Sequence, residues 1–526
     1  MSPSRALRRP PPTTELAADG PGPGRQPSAA TLRLALSMKV AQLRRKQGLS
    51  LQALSDQSGL AISYLNEIER GKKFPKPDKV LALARALGIE YHKLVTPDLG
   101  EKLQPLAAAL KSGLIEKLPL EILGTSPEQL MQLMGGDPEA LSGILDLGAK
   151  IAQRFDLNLE DLLRAAVLSY LEQHKHFFGR LEAEAAALAA DSKLGRDGPP
   201  SLAALSDVLR KRWHCVVDTN ALAATPDLSG LRSVTIDGNR PRLLVNAQLH
   251  PREQAFQLAR EIGYRHLGLE PRPRTAPVLY AESFRHQVHE AEASYFAGAL
   301  LLQRESFSAG LHAFFASPRV DAEVFLRLLA SQGASPEMFM HRMSQLMLPE
   351  FGVEPQFYVR IDQQLDGVEV RVAKEIHYQP MRGIYSIELD EHYCRRWTSV
   401  RTLLAYTAAC RGRTRPAPRV AVARSRMLGR AEEMLLLAIA YARDVPSEVN
   451  SCVIVGFDLT DALRRTLRFW NDPAIPSFEE GFTCERCPLT DCTDRVAPPV
   501  LERQLSRRSR QMAAVEALQA AQREAG

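Results

Sequence analysis

The chain has 526 residues, with 67 Lys or Arg against 61 Asp or Glu and a net charge of +6. That length predicts roughly three or four folded units. No apolar run approaches the ~18 residues of a membrane helix. The proline-rich, polar start (MSPSRALRRPPPTTELAADG) offers no apolar segment for a secretory leader. A cytoplasmic, membrane-free protein is expected. In that reducing setting its seven cysteines point to metal before disulfide wherever they lie close together.

Residues 1–32 read as a disordered arm, and 33–95 as a helix-turn-helix head. Ser50 is a natural N-cap, and Leu51 and Leu54 share one face of the short helix after it. Gly59 stands where that helix must end, because glycine tolerates positive φ without steric cost. A second helix is expected from about Ala61 to Glu69, burying Leu65 and Ile68. It turns Ile62, Ser63, Asn66 and Glu67 outward, and Gly71 stops it before Lys72, Lys73 and Lys76. Between Arg33 and Leu94 there are 12 basic and 5 acidic residues. This concentrates positive charge in one module of an otherwise balanced chain, as a nucleic-acid reader requires.

These residues closely resemble the Xre family of bacterial repressors, down to the Gly59 turn and the Ile68-Glu69-Arg70-Gly71 ending. The resemblance implies that the second helix enters the major groove of a double-stranded operator. Ile62, Ser63, Asn66 and Glu67 would face base edges, with Tyr64 flanking them. Asn66 suits adenine and Ile62 a thymine methyl. Lys39, Lys72 and Lys73 would meet phosphates, giving affinity without sequence choice. Arg44 and Glu69 match an internal salt bridge of relatives. Leu51 departs from the family, where a phosphate-touching Gln is common. Short half-sites imply a homodimer.

Residues 96–190 read as a helical connector. Leu103, Leu106, Leu110 and Leu114 recur at helical spacing, as do Leu159, Leu162, Leu163, Ala166, Val167 and Tyr170. His174 and His176 point apart on a helix and do not suggest a metal site. In 191–348, Val234-Thr235-Ile236, Asp237-Gly238 and Leu243-Leu244-Val245 predict a hairpin. Two helical runs follow, QAFQLAREIGYRHLG and HEAEASYFAGALLL. This order resembles the zincin-like domain of ImmA/IrrE peptidases, whose helix carries H-E-x-x-H to hold zinc and activate water. Here the run is Arg260-Glu261-Ile262-Gly263-Tyr264. Glu261 persists but both ligand positions are lost, while Glu292 matches the downstream acidic ligand. His266 is out of phase, and His286-x-x-His289-Glu290 fits neither zincin order and reads as a solvated face. The implication is a fold kept without its catalysis.

Residues 349–505 form the last folded unit, and 506–526 a helical tail. Strands are expected at 357–361, 368–372 and 452–455. The longest apolar run, Met434 to Ala442, reads as a buried helix. Arg411, Arg413, Arg415, Arg419, Arg424, Arg426 and Arg430 form a stretch without acids, suited either to the pyrophosphate of a CoA ester or to a flexible basic loop. Cys484, Cys487 and Cys492, spaced C-x2-C-x4-C with Pro488 after the second, can converge on one metal centre. This end resembles the C-terminal domain of bacterial regulators of short-chain fatty acid and propionate metabolism, on the cysteine run, Asp494-Arg495 and Ala497-Pro498-Pro499. The resemblance implies an acyl-CoA effector and an iron–sulfur cluster, with Cys394, three before Trp397, as fourth ligand and Cys452 as the alternative. Zinc suits four thiolates equally, and a bare loop is the third reading. Cys215 and Cys410 read as buried small residues.

The expected architecture is therefore multidomain. An all-α helix-turn-helix head and helical connector precede an α+β zincin-like middle and an α/β or α+β C-terminal sensor domain. Two functions compete: a transcription factor that couples a ligand to DNA affinity, and a metallopeptidase that cleaves a partner repressor. The missing ligand histidines favour the first.

Overall fold

The structure, a computed structural model, describes residues 29–96, 142–143, 146–148, 150–151, 159–196, 198–279, 283–365, 367, 369–379, 391–410, 416–443 and 448–524. The leucine-spaced stretch at 103–114, most of the proposed arm and Arg411, Arg413 and Arg415 lie outside these residues. The chain divides into two compact units, 1–163 and 164–526.

In the first unit five helices make the head: α1 (Ala29–Lys46), α2 (Leu51–Ser58), α3 (Ile62–Glu69), α4 (Pro77–Ala86) and α5 (Tyr91–Val95). Ser50 caps α2, its Oγ accepting from the Ala53 amide at 3.0 Å. Gly59 leaves α2 at φ +66°. Leu54, Leu65, Ile68, Val80 and Leu83 are sealed from solvent and form the core on which α2, α3 and α4 close. The expected second helix thus starts one residue late, with Ala61 as its uncapped N-cap.

The second unit begins with α6 (Leu159–Gln173), which crosses the boundary at 163, then α7 (Gly179–Asp191) and α8 (Leu202–Trp213). A four-stranded sheet follows, from β1 (Val216–Asp218), β2 (Ser233–Ile236), β3 (Arg242–Val245) and β4 (Thr275–Ala276), in the order β1-β3-β2-β4. The expected hairpin is the antiparallel β2–β3 pair, with Ile236 opposite Arg242. Helices α9 (Pro251–His266) and α10 (Phe284–Leu301) cross beside it. Gly263 lets them meet, since a Cβ there would sit 3.0 Å from the Phe296 ring. Three helices, α11 (Arg304–Phe315), α12 (Ala322–Ser331) and α13 (Pro336–Phe351), lead into the last sheet.

That sheet has six strands: β5 (Phe357–Gln364), β6 (Val370–His377), β7 (Arg419–Met427), β8 (Glu433–Ala442), β9 (Val449–Asp458) and β10 (Ser477–Glu480), in the order β10-β7-β8-β9-β5-β6. Only β10 runs parallel to its neighbour. The Met434–Ala442 run is strand β8, not the expected helix. Leu435, Leu437 and Ile439 face the helices α11–α13, while Leu436, Ala438 and Ala440 face α14 (Thr398–Cys410). A strand covered on both faces needs apolar residues at every position, and its period of two disappears. The arginine stretch is likewise part strand, since Arg419, Arg424 and Arg426 lie on β7. A short helix, α15 (Asp461–Thr466), follows β9, and the described chain closes on α16 (Val500–Glu524), largely exposed.

One buried ion pair ties distant parts of this unit together. Arg342 on α13 donates to both Glu182 oxygens on α7 at 2.6 and 2.8 Å, and its Nε reaches the Leu302 carbonyl. Tyr295 on α10 donates to the same carboxylate at 2.6 Å. Such a pair is favoured inside a protein when further hydrogen bonds support it, as the Leu302 carbonyl and Tyr295 do here. His176 is also interior; its ring donates to the His377 carbonyl at 3.0 Å, which is a packing role.

Candidate nucleic-acid interface and two interior sites

On the head, Ile62 is 41% exposed and Ser63 is exposed beside it, at the start of α3. Tyr64, Asn66 and Glu67 are half-buried on the same short helix. The base-facing candidates therefore sit together on the first two turns. Glu67 is not idle there: its carboxylate holds the Lys73 ammonium at 2.9 Å, which also lies 5.5 Å from the Tyr64 ring centre. The pair is exposed and weak. Lys72 is exposed. Arg44 grips Glu69 through two nitrogens, at 2.6 and 2.9 Å, and reaches the Leu49 carbonyl with a third, making the internal clamp that the resemblance implied.

Lys39 corrects the sequence reading. It is buried, and its ammonium donates to the Lys93 and Thr96 carbonyls at 2.5 and 2.7 Å. Those carbonyls belong to α5 and its C-terminal cap, where a cation offsets the helix's negative end. Lys39 fastens α5 to α1 and does not face phosphate.

Within the second unit, α9 holds the degenerate zincin run. Arg260, in the first ligand position, donates to Glu290 at 2.8 Å and to the Ser233 hydroxyl at 3.2 Å. Tyr264, in the second, donates to the other Glu290 oxygen. Burial, with the Glu290 carboxylate adding to it, pushes the Tyr264 phenol well above its ordinary value and keeps it a neutral donor. A guanidinium and a phenol thus complete a set in which Glu290, not Glu292, is the opposing carboxylate. Glu292 turns away, accepting from Tyr170 at 3.3 Å. Both lie on α10, but two residues apart on a helix face different ways.

Glu261, where a water-activating base would stand, is 3% exposed and fully engaged. It accepts from Thr235 at 3.0 Å, Arg265 at 2.6 Å and Arg272 at 2.8 Å. Asp237 takes a second Arg272 nitrogen at 2.7 Å. The carboxylate is a structural anion here, held by two fixed cations and a hydroxyl. His266 points to Glu184 on α7. His286 is buried rather than on a solvated face, and His289 donates to the Pro271 carbonyl at 2.7 Å.

At the C-terminal end, the segment 391–397 is stitched to 481–487. The Cys394 amide donates to the Phe482 carbonyl at 3.0 Å, the Trp397 indole to Gly481 at 2.7 Å, and the Cys484 amide to His392 at 2.8 Å. Arg495 donates to the carbonyls of Cys484, at 2.7 Å, and of Leu489, rounding the cysteine loop. Cys394, Cys484 and Cys487 are buried and Cys492 is half-buried. Burial pushes the Cys394 thiol up, with the Cys487 thiol nearby adding to it. Through these hydrogen bonds the segments 391–397 and 481–487 are neighbours across about 90 positions of chain. Among the described residues, however, no three Cys, His, Asp or Glu side chains are arranged to hold a metal ion. Cys452 lies on β9 inside the core, remote from this stitching in the sheet register, and Cys215 is buried between helices; Cys410 is half-buried.

Residues 40–94 match the helix-turn-helix family, and 217–344 the IrrE N-terminal-like domain. A helix-turn-helix transcriptional regulator of Sinorhizobium fredii is 36% identical over 66 residues, which are 12% of this chain and 86% of that protein. The chain belongs to the Xre-type helix-turn-helix regulators. The similarity of this Xre-type chain to other regulators runs well beyond the head. The regulator RamB of Mycobacterium tuberculosis is 22% identical over 364 residues, 66% of this chain and 72% of RamB. The propionyl-CoA carboxylase regulator of Cereibacter sphaeroides is 27% identical over 342 residues, 63% and 69% of the two chains. A solved Mycobacterium tuberculosis transcriptional regulator aligns with a TM-score of 0.44 and 19% identity, covering 64% of this chain and 94% of that one. The chain is a DNA-binding transcriptional regulator with an IrrE-like middle domain. Among its described residues, no helix is long and apolar enough to cross a membrane.

Sequence reasoning missed Glu290 as the partner of Arg260 and Tyr264, although its place beside His289 was in view. It also missed Arg265 and Arg272, which hold Glu261. Arg265 is four residues after Glu261, a helical pairing distance that could have revealed it.

Proposed function

We propose that this chain is a sequence-specific, homodimeric regulator that binds an inverted repeat and controls short-chain fatty acid or related carbon metabolism in response to an acyl-CoA-type ligand. The observation that carries the DNA-reading part is the exposed start of α3, where Ile62 and Ser63 lead and Lys72 and Lys73 follow. One head buries too little surface for tight, selective binding, so two copies on paired half-sites are required. The metabolic part draws support from the similarity to a propionyl-CoA carboxylase regulator. Mapping the DNA occupied by the protein in its own genome tests both parts. Paired half-sites beside genes of acyl-CoA metabolism are expected; unpaired sites beside unrelated genes refute the proposal.

The middle domain is proposed to be catalytically silent, because Arg260, Tyr264 and Glu290 satisfy one another where a zinc ion would need three ligands. The rival reading, a metallopeptidase acting on a partner repressor, predicts zinc-dependent cleavage that Glu261→Gln abolishes. For Cys394, Cys484, Cys487 and Cys492 we propose a metal centre, iron–sulfur in first place and zinc in second. Its support is the stitching of 391–397 to 481–487, which brings Cys394 beside the cysteine loop. Such a centre would fasten these two segments to each other.

A further inference from the structure

An unassigned feature of the second unit is a cavity of about 490 Å³ where α8, α9, the end of α10 and the turn between α12 and α13 meet. Its volume falls within the roughly 300–1,000 Å³ of small-molecule sites. Leu202, Ala203, Ala255, Leu301 and Met338 line it with apolar surface. Its wall carries no acidic side chain. Arg252 lines it, and its Nε is buried without a hydrogen bond. The adjacent acid cannot answer it, since Glu253 is turned to Arg232 at 2.6 Å.

Two helices begin at this wall. Ser201 caps α8 by accepting from the Ala204 amide at 3.2 Å, and His250 caps α9 by accepting from the Arg252 amide at 3.3 Å. Helix N-termini carry positive partial charge. The first amides of α8 have no partner within the helix, whereas α9 begins on Pro251, which has no N–H, and its Arg252 and Glu253 amides are bonded to His250. The cavity therefore joins an apolar floor to a positive rim with no carboxylate to neutralise it. A buried guanidinium N–H beside an apolar surface is costly unless an acceptor completes it.

We propose that this cavity binds an amphipathic anion, a medium-length apolar chain ending in a carboxylate or a phosphate. The chain lies on Leu202, Ala255, Leu301 and Met338, and the head meets Arg252 and the start of α8. The site is separate from the degenerate zincin run, since Arg252 and Arg260 are about 12 Å apart along α9. It requires neither DNA binding nor a metal.

Calorimetric titration of the full chain with octanoate, octyl phosphate and octanol tests it. Saturable binding of at least one anion is expected, with octanol at least about tenfold weaker, as loss of a charged hydrogen bond implies. The stronger of the two anions identifies the head group. Arg252→Gln should lower anion affinity by about tenfold and leave octanol unchanged, while Ala255→Phe should block all three by filling the floor. Arg252→Gln is part-exposed and decides the matter if Ala255→Phe does not fold. Absence of saturation with both anions, or anion binding unchanged by Arg252→Gln, overturns the proposal.

Discussion

Replacing Glu261 by Gln separates an abandoned catalytic base from a structural anion. In a working zincin this change removes activity and spares the fold. Here the carboxylate is 3% exposed and answers Arg265, Arg272 and Thr235. Removing one partner of a buried ion pair costs about 3–5 kcal/mol. Glutamine keeps one acceptor oxygen, and Asp237 still faces Arg272, so the lower end, about 3 kcal/mol, applies. At roughly 2–4 °C per kcal/mol for a unit of a few hundred residues, the melting temperature should drop by about 6–12 °C. Thermal melts followed by circular dichroism check it, with DNA binding by the separate head recorded below the transition. A variant melting within about 2 °C of the parent would show that Glu261 does not hold these cations.

Lys39→Met should destabilise the head, since the lost bonds to the Lys93 and Thr96 carbonyls are each worth roughly 1–3 kcal/mol when charged; Lys72→Ala should instead leave its melting unchanged and lower the salt slope of DNA binding by about one. Protein purified without oxygen should contain iron and sulfide, and Cys487→Ser should remove both while the head stays folded; stoichiometric zinc would move the assignment to a structural zinc site, and neither metal would end it. Burial alone would raise Glu337, but Arg360, Lys374 and Arg443 outweigh it and hold its carboxyl down at about 2 against an ordinary 4.5. A depressed carboxyl stabilises the fold above its unfolded value and loses that effect as it protonates. Stability of the second unit should therefore fall between about pH 4.5 and 2, and Glu337→Gln should flatten that segment of a melting-against-pH profile.

The head was legible because its signals are local. Ser50, Gly59 and Gly71 mark ends that backbone geometry enforces, and Leu65 and Ile68 repeat at helical spacing. The loss of both zincin histidines was equally plain. What replaced them was not, since Arg260 and Tyr264 find Glu290 across a helix crossing, and two residues of helical rotation separate it from Glu292. Lys39 misled because a lysine's type does not say whether its long stem runs outward or under a helix end. Strand β8 misled because burial on both faces erases the alternation that identifies strands, leaving only length to decide. The nearness of Cys394 to the cysteine loop came through family resemblance; nothing in the spacing of 394 and 487 encodes it.

The central claim is that α3 reads sequence, and selection of bound sites from random DNA by the full chain tests it most directly, comparing parent, Asn66→Ala and Lys72→Ala. A lost base contact costs about 1–3 kcal/mol at the pair it reads. Asn66→Ala should therefore relax one or two positions in each half-site by about tenfold or more, whereas Lys72→Ala should leave the selected sequence intact and weaken all sites alike. An unchanged sequence preference in Asn66→Ala, with every site weakened equally, would contradict the account.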